Sequence, residues 1–337
     1  MKKKTRVLVA GLGSIGRRHA RLLSERQDVE LTICDPVEEH RKDTLATLTN
    51  PAAATSDYPA ALSERPDAVI IATPNHLHVP MGLQAVEAGA DVLMEKPISD
   101  TLADARQLVA AAEKAGRFLQ VGYMLRLDPG LQKLKTWIDA GSLGQLVGGR
   151  SMVGTYITLL NAKSPDRLHH PNSLIVDYTH ELDFLHWLFG DVAAVSAAGA
   201  QLGRMELKPP PNVFQMILRA GSGALIQVHM DYVQFPQRRT LEVYGDRGAA
   251  VYDFTTGELK RFPHQREYQY EEHNVSPIAA RWDDLFRQEH AVFLEARRSG
   301  RPPLVSGRDG LAAMILAETA IQAAREGCWV DVARLAE

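Results

Sequence analysis

The chain has 337 residues, 45% of them hydrophobic, which is enough for two domains and a sizeable buried core. Its 38 basic and 41 acidic residues leave a net charge of −3, so it carries no electrostatic footprint for nucleic acid. Met1-Lys2-Lys3-Lys4 is basic, but the apolar run behind it is too short for a signal peptide or a membrane span, and Cys34 and Cys328 alone do not imply a disulfide framework, so a reduced cytoplasmic protein is expected.

The first element in chain order is the most informative. Val7 to Ala10 reads as a buried strand that breaks at Gly11, and Gly11, Gly13 and Gly16 set the spacing G-x-G-x-x-G before a helix expected from Arg17 to Glu25. The first glycine permits the tight turn, the second lets backbone approach a pyrophosphate, and the third lets helix pack on strand. Gly11, Leu12, Gly13, Ser14, Ile15 and Gly16 are therefore the expected phosphate cradle, facing the free N–H groups of a helix N-terminus. A second apolar run, Val29 to Cys34, ends in Asp35, about 20 residues on, where such a fold places the acid that holds the ribose hydroxyls.

The rhythm continues with a helix from near Val37, a strand at Asp67 to Ala72, a helix from His78 to Ala88, a strand at Asp91 to Met94, a helix from Thr101 to Ala115 and a strand at Phe118 to Val121. This alternation predicts an α/β domain of Rossmann type, a doubly wound parallel sheet, over residues 1–123. Ligands of such sheets bind beyond the carboxyl ends of the strands, which singles out Thr73, Pro74, Asn75, Glu95, Lys96, Gly122 and Tyr123. Lys96 is the sharpest of these, because the following Pro97 holds it extended and directs its side chain toward the cleft.

Character changes near Tyr123, and residues 124–337 read as a second domain for substrate and oligomerisation. A helical pattern over Leu127 to Ala140 is followed by a strand from Gly148 to Thr158. Further strand-like runs at Val213 to Ala220, Ala224 to Tyr232 and Thr240 to Tyr244 then predict an α+β domain with a large, open, mostly antiparallel sheet. Helices are expected at Arg281 to Ser299 and Asp309 to Glu326. Between them in interest lies Asp177-Tyr178-Thr179-His180-Glu181-Leu182-Asp183. On one helix, residues three apart lie about 60° apart round the axis, so Asp177 and His180 would share a face as an acid/base pair. The alternative is an N-cap at Asp177 with His180 as a satisfied core histidine.

Several blocks resemble, in order, those of the glucose-fructose oxidoreductase and inositol dehydrogenase family, Gfo/Idh/MocA: VLVAGLGSIGRRHARLL from Val7, ATPNHLHVPMGLQAVEAGADVLMEKPIS at 72–99, VGYMLRLDP at 121–129, DYTHELDFLHWLFG at 177–190 and LEVYGDRGAAVYD at 241–253. The resemblance covers nearly the whole chain. It implies a nicotinamide-dependent oxidoreductase acting on a sugar, cyclitol or similar polyol, with Lys96 as the active-site lysine. Asn75, His78 and Glu95 would contact the cofactor, and Tyr123 and Arg126 would border nicotinamide and substrate. It also implies a homodimer or homotetramer paired through the second sheet. The commonest family pattern sets the aspartate four residues before the histidine, after a run of glycines; here the separation is three and Asn172-Ser173 stand in the glycines' place. A D-x-x-H-E-x-D version is similar to that of a sugar-modifying branch, which keeps His180 as the base and leaves open whether Asp177 or Glu181 supports it.

Charge bears on the cofactor. Asp35 accepts hydrogen bonds from ribose hydroxyls and repels a 2′-phosphate, so NAD is expected over NADP, with Arg17, Arg18 and Arg41 read as solvated helix faces. Tyr156, Lys163, Arg167, His169 and His170 belong to a loop-like stretch before Asp177. There Tyr156 and Arg167, with Arg126, are candidate substrate contacts, and an anionic sugar or an incidental charged flap are both open readings. The paired histidines have no metal-ligand spacing, and no metal is expected. Two other readings stay open: a redox-neutral glycoside cleavage through transient oxidation and elimination, and a non-catalytic NAD(H)-binding regulator.

Overall fold

Six short runs in the first half of the chain become parallel strands: β1 (Thr5–Ala10), β2 (Val29–Cys34), β3 (Ala53–Thr55), β4 (Ala68–Ile71), β5 (Asp91–Met94) and β6 (Leu119–Val121). The computed structural model describes residues 4–156, 172–204, 211–265 and 269–336. These fall into two compact units, 1–124 with 282–312, and 125–281 with 313–337.

In the first unit the strand order is β3-β2-β1-β4-β5-β6, every pair parallel, which is the doubly wound order with its crevice at the switch between β1 and β4. β4 and β5 are buried along their whole length, as expected of strands covered on both faces. The connecting helices are α1 (Ser14–Ser24), α2 (Glu38–Leu45), α3 (Tyr58–Ser63), α4 (His78–Glu87) and α5 (Leu102–Ala115). α1 starts three residues before the expected Arg17, because the turn at Gly11 leads straight into it. β3 and α3 were not expected from the sequence. α3 has only six residues, too few for a helical periodicity, and is set by Asp57, whose side chain accepts from the Ala60 N–H.

Alternation along the strands sorts the covering helices. Val7 and Val9 of β1 and Leu93 of β5 share one buried cluster with Ala20 and Leu23 of α1 and with Phe293 and Leu294 of the helix Trp282–Ser299. Met94, one residue on, faces α4 and α5, where a Cβ on Gly82 would sit 3.0 Å from both Met94 and Leu108. The helix Trp282–Ser299 comes late in the chain, yet it is part of the nucleotide unit. The composition change near Tyr123 marks where the chain first leaves that unit, and the helix marks its return.

The second unit holds, among the described residues, a nine-stranded sheet: β7 (Leu146–Gly154), β8 (Val192–Ala200), β9 (Val213–Ala220), β10 (Leu225–Asp231), β11 (Arg238–Gly245), β12 (Gly248–Asp253), β13 (Glu258–Pro263), β14 (Glu271–Glu272) and β15 (Val330–Asp331). The order is β14-β13-β12-β11-β7-β10-β9-β8-β15, antiparallel throughout except where β7 and β10 run parallel. β9 alternates buried and exposed residues, so one face of the sheet is core and the other is not. α6 (Pro129–Asp139) packs on that core side, tied by a buried polar knot. Asp128 caps α6 through the Gly130 and Leu131 N–H groups, accepts from the Tyr252 hydroxyl at 2.7 Å and pairs with Arg281 at 2.7 Å. Among the described residues, no helix is long and apolar enough to cross a membrane.

Asp128→Ala should therefore destabilise the protein by about 3–5 kcal/mol, because it leaves the buried Arg281 guanidinium without its counter-charge and removes the α6 cap. Asp128→Asn should cost less, since the amide oxygen still accepts. Urea denaturation of both variants checks this.

Candidate active site

The glycine-rich turn is set by close backbone packing. Gly11 lies at φ +87°, where a Cβ would come within 2.7 Å of the Ala72 carbonyl oxygen, and a Cβ on Gly16 would be 1.7 Å from the Gly11 oxygen. Gly13 differs: a Cβ there would meet nothing within 4 Å, so it is the glycine beside open space. The N-terminus of α1 has neither a side-chain cap nor an acidic residue in its first turn. Its N–H groups are thus left for an anion, with Ser14 and Ile15 in the first turn.

Asp35, at the end of β2, is buried and holds the turn in shape: Oδ2 accepts from the Leu12 N–H at 2.7 Å and Oδ1 from the Val37 N–H at 2.9 Å. The three arginines expected on solvated faces have specific partners. Arg17 meets Asp43 and Arg18 meets Asp283, while Arg41 folds back so that Nη1 donates to the Asp35 carbonyl at 2.5 Å. Beyond β4, the Thr73 hydroxyl is buried without a hydrogen-bond partner among the described residues, Pro74 is exposed, and Asn75 begins a 3-10 turn, Asn75–Leu77. An uncapped helix N-terminus, open space at Gly13 and an unpartnered hydroxyl at the next strand end together fit a dinucleotide.

His78 is 1% exposed and lies between two carbonyls, Pro97 O at 2.8 Å from Nδ1 and Thr73 O at 3.0 Å from Nε2. Burial lowers its pKa, outweighing the pull of those carbonyls. The ring links the ends of β4 and β5 rather than facing outward. Beyond β5, Lys96 is half-buried; its N–H donates to Glu95 Oε2 at 3.2 Å, and the Glu95 carboxyl packs where a Cβ on Gly122 would lie 3.3 Å from it. Glu95 Oε1 meets His19 Nε2 at 2.9 Å. Burial pushes the Glu95 carboxyl up, but His19 and Lys96 together hold it below the usual range. Tyr123 follows, fully buried.

The second unit corrects the reading of the Asp177 stretch. It is two helices, Ser173–Asp177 and Thr179–Phe189, broken at Tyr178 (φ −106°, ψ 27°). Asp177 ends the first helix, so it neither shares a helical face with His180 nor caps the second helix. Its Oδ2 accepts from the Tyr232 hydroxyl at 2.6 Å. Burial, followed by the Asp177 charge, pushes the Tyr232 hydroxyl well above the ordinary tyrosine range.

The other two acids of the stretch are also committed. Glu181 receives Arg239 through both oxygens, at 2.7 and 2.9 Å. Asp183 receives Arg126 in the same way, at 2.9 and 2.7 Å. Paired in this fashion, these buried charges are neutralised in place. Glu181 is thus committed to Arg239, and His180 is 7% exposed near the start of the second helix. Tyr156 lies two residues beyond the end of β7, its N–H donating to the Gln234 carbonyl at 2.9 Å. Arg167, Lys163, His169 and His170 lie outside the described residues. The sequence reading missed Tyr232 and Arg239, which sit at or just beyond strand ends with no motif to mark them. It also missed His19, one helical turn after Gly16, and His290.

Comparison with known proteins agrees with the geometry. Residues 5–123 match the model of an oxidoreductase family with an NAD-binding Rossmann fold, and residues 138–332 match that family's C-terminal alpha/beta domain. The inositol 2-dehydrogenase of Salmonella typhimurium is 26% identical over 328 residues, covering 95% of this chain and 94% of that protein. The myo-inositol 2-dehydrogenase of Thermotoga maritima is 27% identical over 336 residues, 95% and 96% of the two chains. Among solved structures, levoglucosan dehydrogenase in complex with NADH superposes with a TM-score of 0.87 at 20% identity, over 98% of this chain and 99% of that one.

The two kinds of glycine separate by substitution. Gly13→Ala should fold normally and weaken NAD binding by about tenfold or more, because the new methyl enters the space a pyrophosphate needs. Gly16→Ala should instead lower the melting temperature, since its methyl collides with backbone. Calorimetric NAD titration and thermal melts of both variants distinguish the two effects.

Proposed function

The chain belongs to the Gfo/Idh/MocA oxidoreductase family, and from that premise we propose that it transfers a hydride between NAD and a secondary hydroxyl or ketone of a sugar, cyclitol or sugar derivative. The observation that carries this reading is Lys96. A lysine stands at the carboxyl edge of the NAD-binding sheet, backed by a half-buried Glu95 whose carboxyl is held below its usual range, at the edge where a Rossmann domain presents its ligand. The inositol dehydrogenase relatives support a polyol as the substrate class.

In this reading Gly11 to Gly16 hold the pyrophosphate, Asp35 the ribose, and Thr73, Pro74, Asn75 and His78 the segment that shapes the nicotinamide end. The carboxylate of Asp35 and the absence of a donor at Pro36 favour NAD over NADP. Bound NAD supplies the hydride acceptor. His180 takes the proton of the reacting hydroxyl, and the Lys96 ammonium hydrogen-bonds the same oxygen, stabilising the negative charge that develops on it. Tyr123 and Tyr156 border the substrate, and Asp177, steadied by Tyr232, offers a carboxylate to its hydroxyls. Arg126 acts through Asp183, since its guanidinium is already engaged there. Homo-oligomerisation through the uncovered sheet face is part of the same reading, supported by the exposed Ile217, Leu225 and Val251 on β9, β10 and β12.

The test is NADH formation from NAD over neutral, acidic and phosphorylated sugars and cyclitols, run beside Lys96→Ala. Turnover with one substrate group should fall about 10²- to 10⁴-fold in the variant, with NAD affinity kept. Equal turnover in wild type and variant removes Lys96 from the chemistry. NAD binding without NADH from any substrate favours the redox-neutral reaction instead.

A further inference from the structure

Two backbone carbonyls share the ring of His78, and a carbonyl oxygen can only accept. Pro97 O lies 2.8 Å from Nδ1 and Thr73 O lies 3.0 Å from Nε2, both at hydrogen-bond length, so satisfying both at once takes a hydrogen on each nitrogen. A neutral imidazole has only one. Its bare nitrogen would face a carbonyl lone pair to lone pair, and that contact has to open. The ring is 1% exposed, so bulk water does not stand in for the missing bond.

The place of the ring decides which segments feel this. His78 is the first residue of α4, directly after the 3-10 turn Asn75–Leu77, and α4 packs against β4 and β5. Pro97 belongs to the stretch leaving β5, and Thr73 to the stretch leaving β4. The shorter bond anchors the ring on the β5 side, and the longer one reaches across to the β4 side. The Thr73 hydroxyl is buried without a partner among the described residues, at a strand end where a Rossmann domain presents its ligand. A hold on the Thr73 carbonyl is therefore a hold on the hydroxyl offered to the cofactor.

Opposed influences act on the second proton of the ring. Burial resists it, while the Pro97 and Thr73 carbonyls favour it, as do the charges of Glu95 beyond β5 and Asp100 just ahead of α5. Burial prevails, and the ring holds its second proton less firmly than an ordinary histidine. Glu95 is itself tied to His19 at 2.9 Å, and His19 Nδ1 lies 2.7 Å from His290 Nε2 on the helix Trp282–Ser299. Below its lowered midpoint the ring carries both hydrogens and holds both carbonyls. As the pH rises through that midpoint, one carbonyl is released.

We infer that His78 is a positioning residue for the cofactor: with a hydrogen on each nitrogen it holds Thr73 in place, and with one it keeps Pro97 and lets the Thr73 carbonyl go. The grip on the nicotinamide end thus strengthens as the ring gains its second proton. The inference rests on the assignment of Thr73 to Asn75 to the nicotinamide end in the proposed function, but its test needs no substrate. By linkage, a cofactor that binds the doubly protonated ring better raises the proton affinity of that ring by the same factor, so binding takes up protons.

The experiment is a fluorescence titration of the protein with NADH from about pH 5.5 to about pH 8, with ADP-ribose, which lacks the nicotinamide, as a second ligand followed by calorimetry. NADH is the probe because its nicotinamide ring is uncharged and is not itself repelled by an imidazolium. The wild type should bind NADH about three- to tenfold more tightly at the acid end, the worth of one hydrogen bond, while ADP-ribose affinity changes by less than about twofold. His78→Gln keeps a donor without a titrating ring, so its NADH affinity should be flat with pH, and calorimetry in buffers of different ionisation enthalpy should show proton uptake in the wild type alone. A flat wild-type curve, an equal slope for ADP-ribose, or the wild-type slope persisting in His78→Gln overturns the inference. Should His78→Gln fail to fold, nitrogen-15 histidine spectra of the wild type decide instead: the His78 ring should carry a single N–H, on Nδ1, at about pH 8 and two N–H groups below a midpoint that NADH moves upward. A single N–H on Nε2, or a midpoint that NADH leaves in place, overturns it. A protein that oxidises no polyol but gives the expected NADH curves would separate failure of the proposed reaction from failure of this one.

Discussion

A carboxylate taken out of water must find its counter-charge or its N–H donors where it stands, and this chain buries several at the points where its elements end. Asp35 closes β2 and is met by the Leu12 and Val37 N–H groups. Glu95 follows β5 and is met by His19 and the Lys96 N–H. Asp128 opens α6 and is met by Tyr252 and Arg281, and Glu181 and Asp183 each take a two-pronged arginine. Each pairing binds the end of one element to another within the same unit. The loops that carry the candidate site are fixed by these demands as much as by apolar packing, because a strand end with a satisfied buried charge cannot drift without unmaking the pair.

The nucleotide half was largely readable from sequence because its signals are local. A glycine that alone tolerates φ +87°, a buried strand four residues long, and an acid about 20 residues past the turn are all determined by neighbours in the chain. The family blocks, strung along most of the sequence, carried the same conclusion to the second half and to NAD.

What escaped the reading depends on partners far away. Asp177 and His180 look like one helical face until the break at Tyr178 separates them, and the acid's partner, Tyr232, is 55 positions on. Glu181 reads as a free candidate beside the histidine, and only the fold shows that Arg239, 58 positions away, is paired with it. Arg41 reads as a solvated residue of a polar helix, yet the chain curls so that it reaches back to Asp35. The amphipathic pattern of residues 282–299 announces a helix without saying which sheet it covers. His19 sits in a motif everyone would inspect for its glycines, and its significance comes from His290, 271 residues later.

That last separation has a consequence for how the protein is made. One face of the parallel sheet, including Val9, Leu31 and Ile70, is completed by Phe293 and Leu294. A ribosome releasing the chain from its N-terminus therefore exposes an unfinished apolar face while residues 125–281 of the second unit are being synthesised. During that interval the nascent nucleotide unit is a natural client for a chaperone holding it open. An excised fragment of residues 1–124 would remain in that state permanently, sticky on one face and with His19 facing a vacancy where His290 belongs.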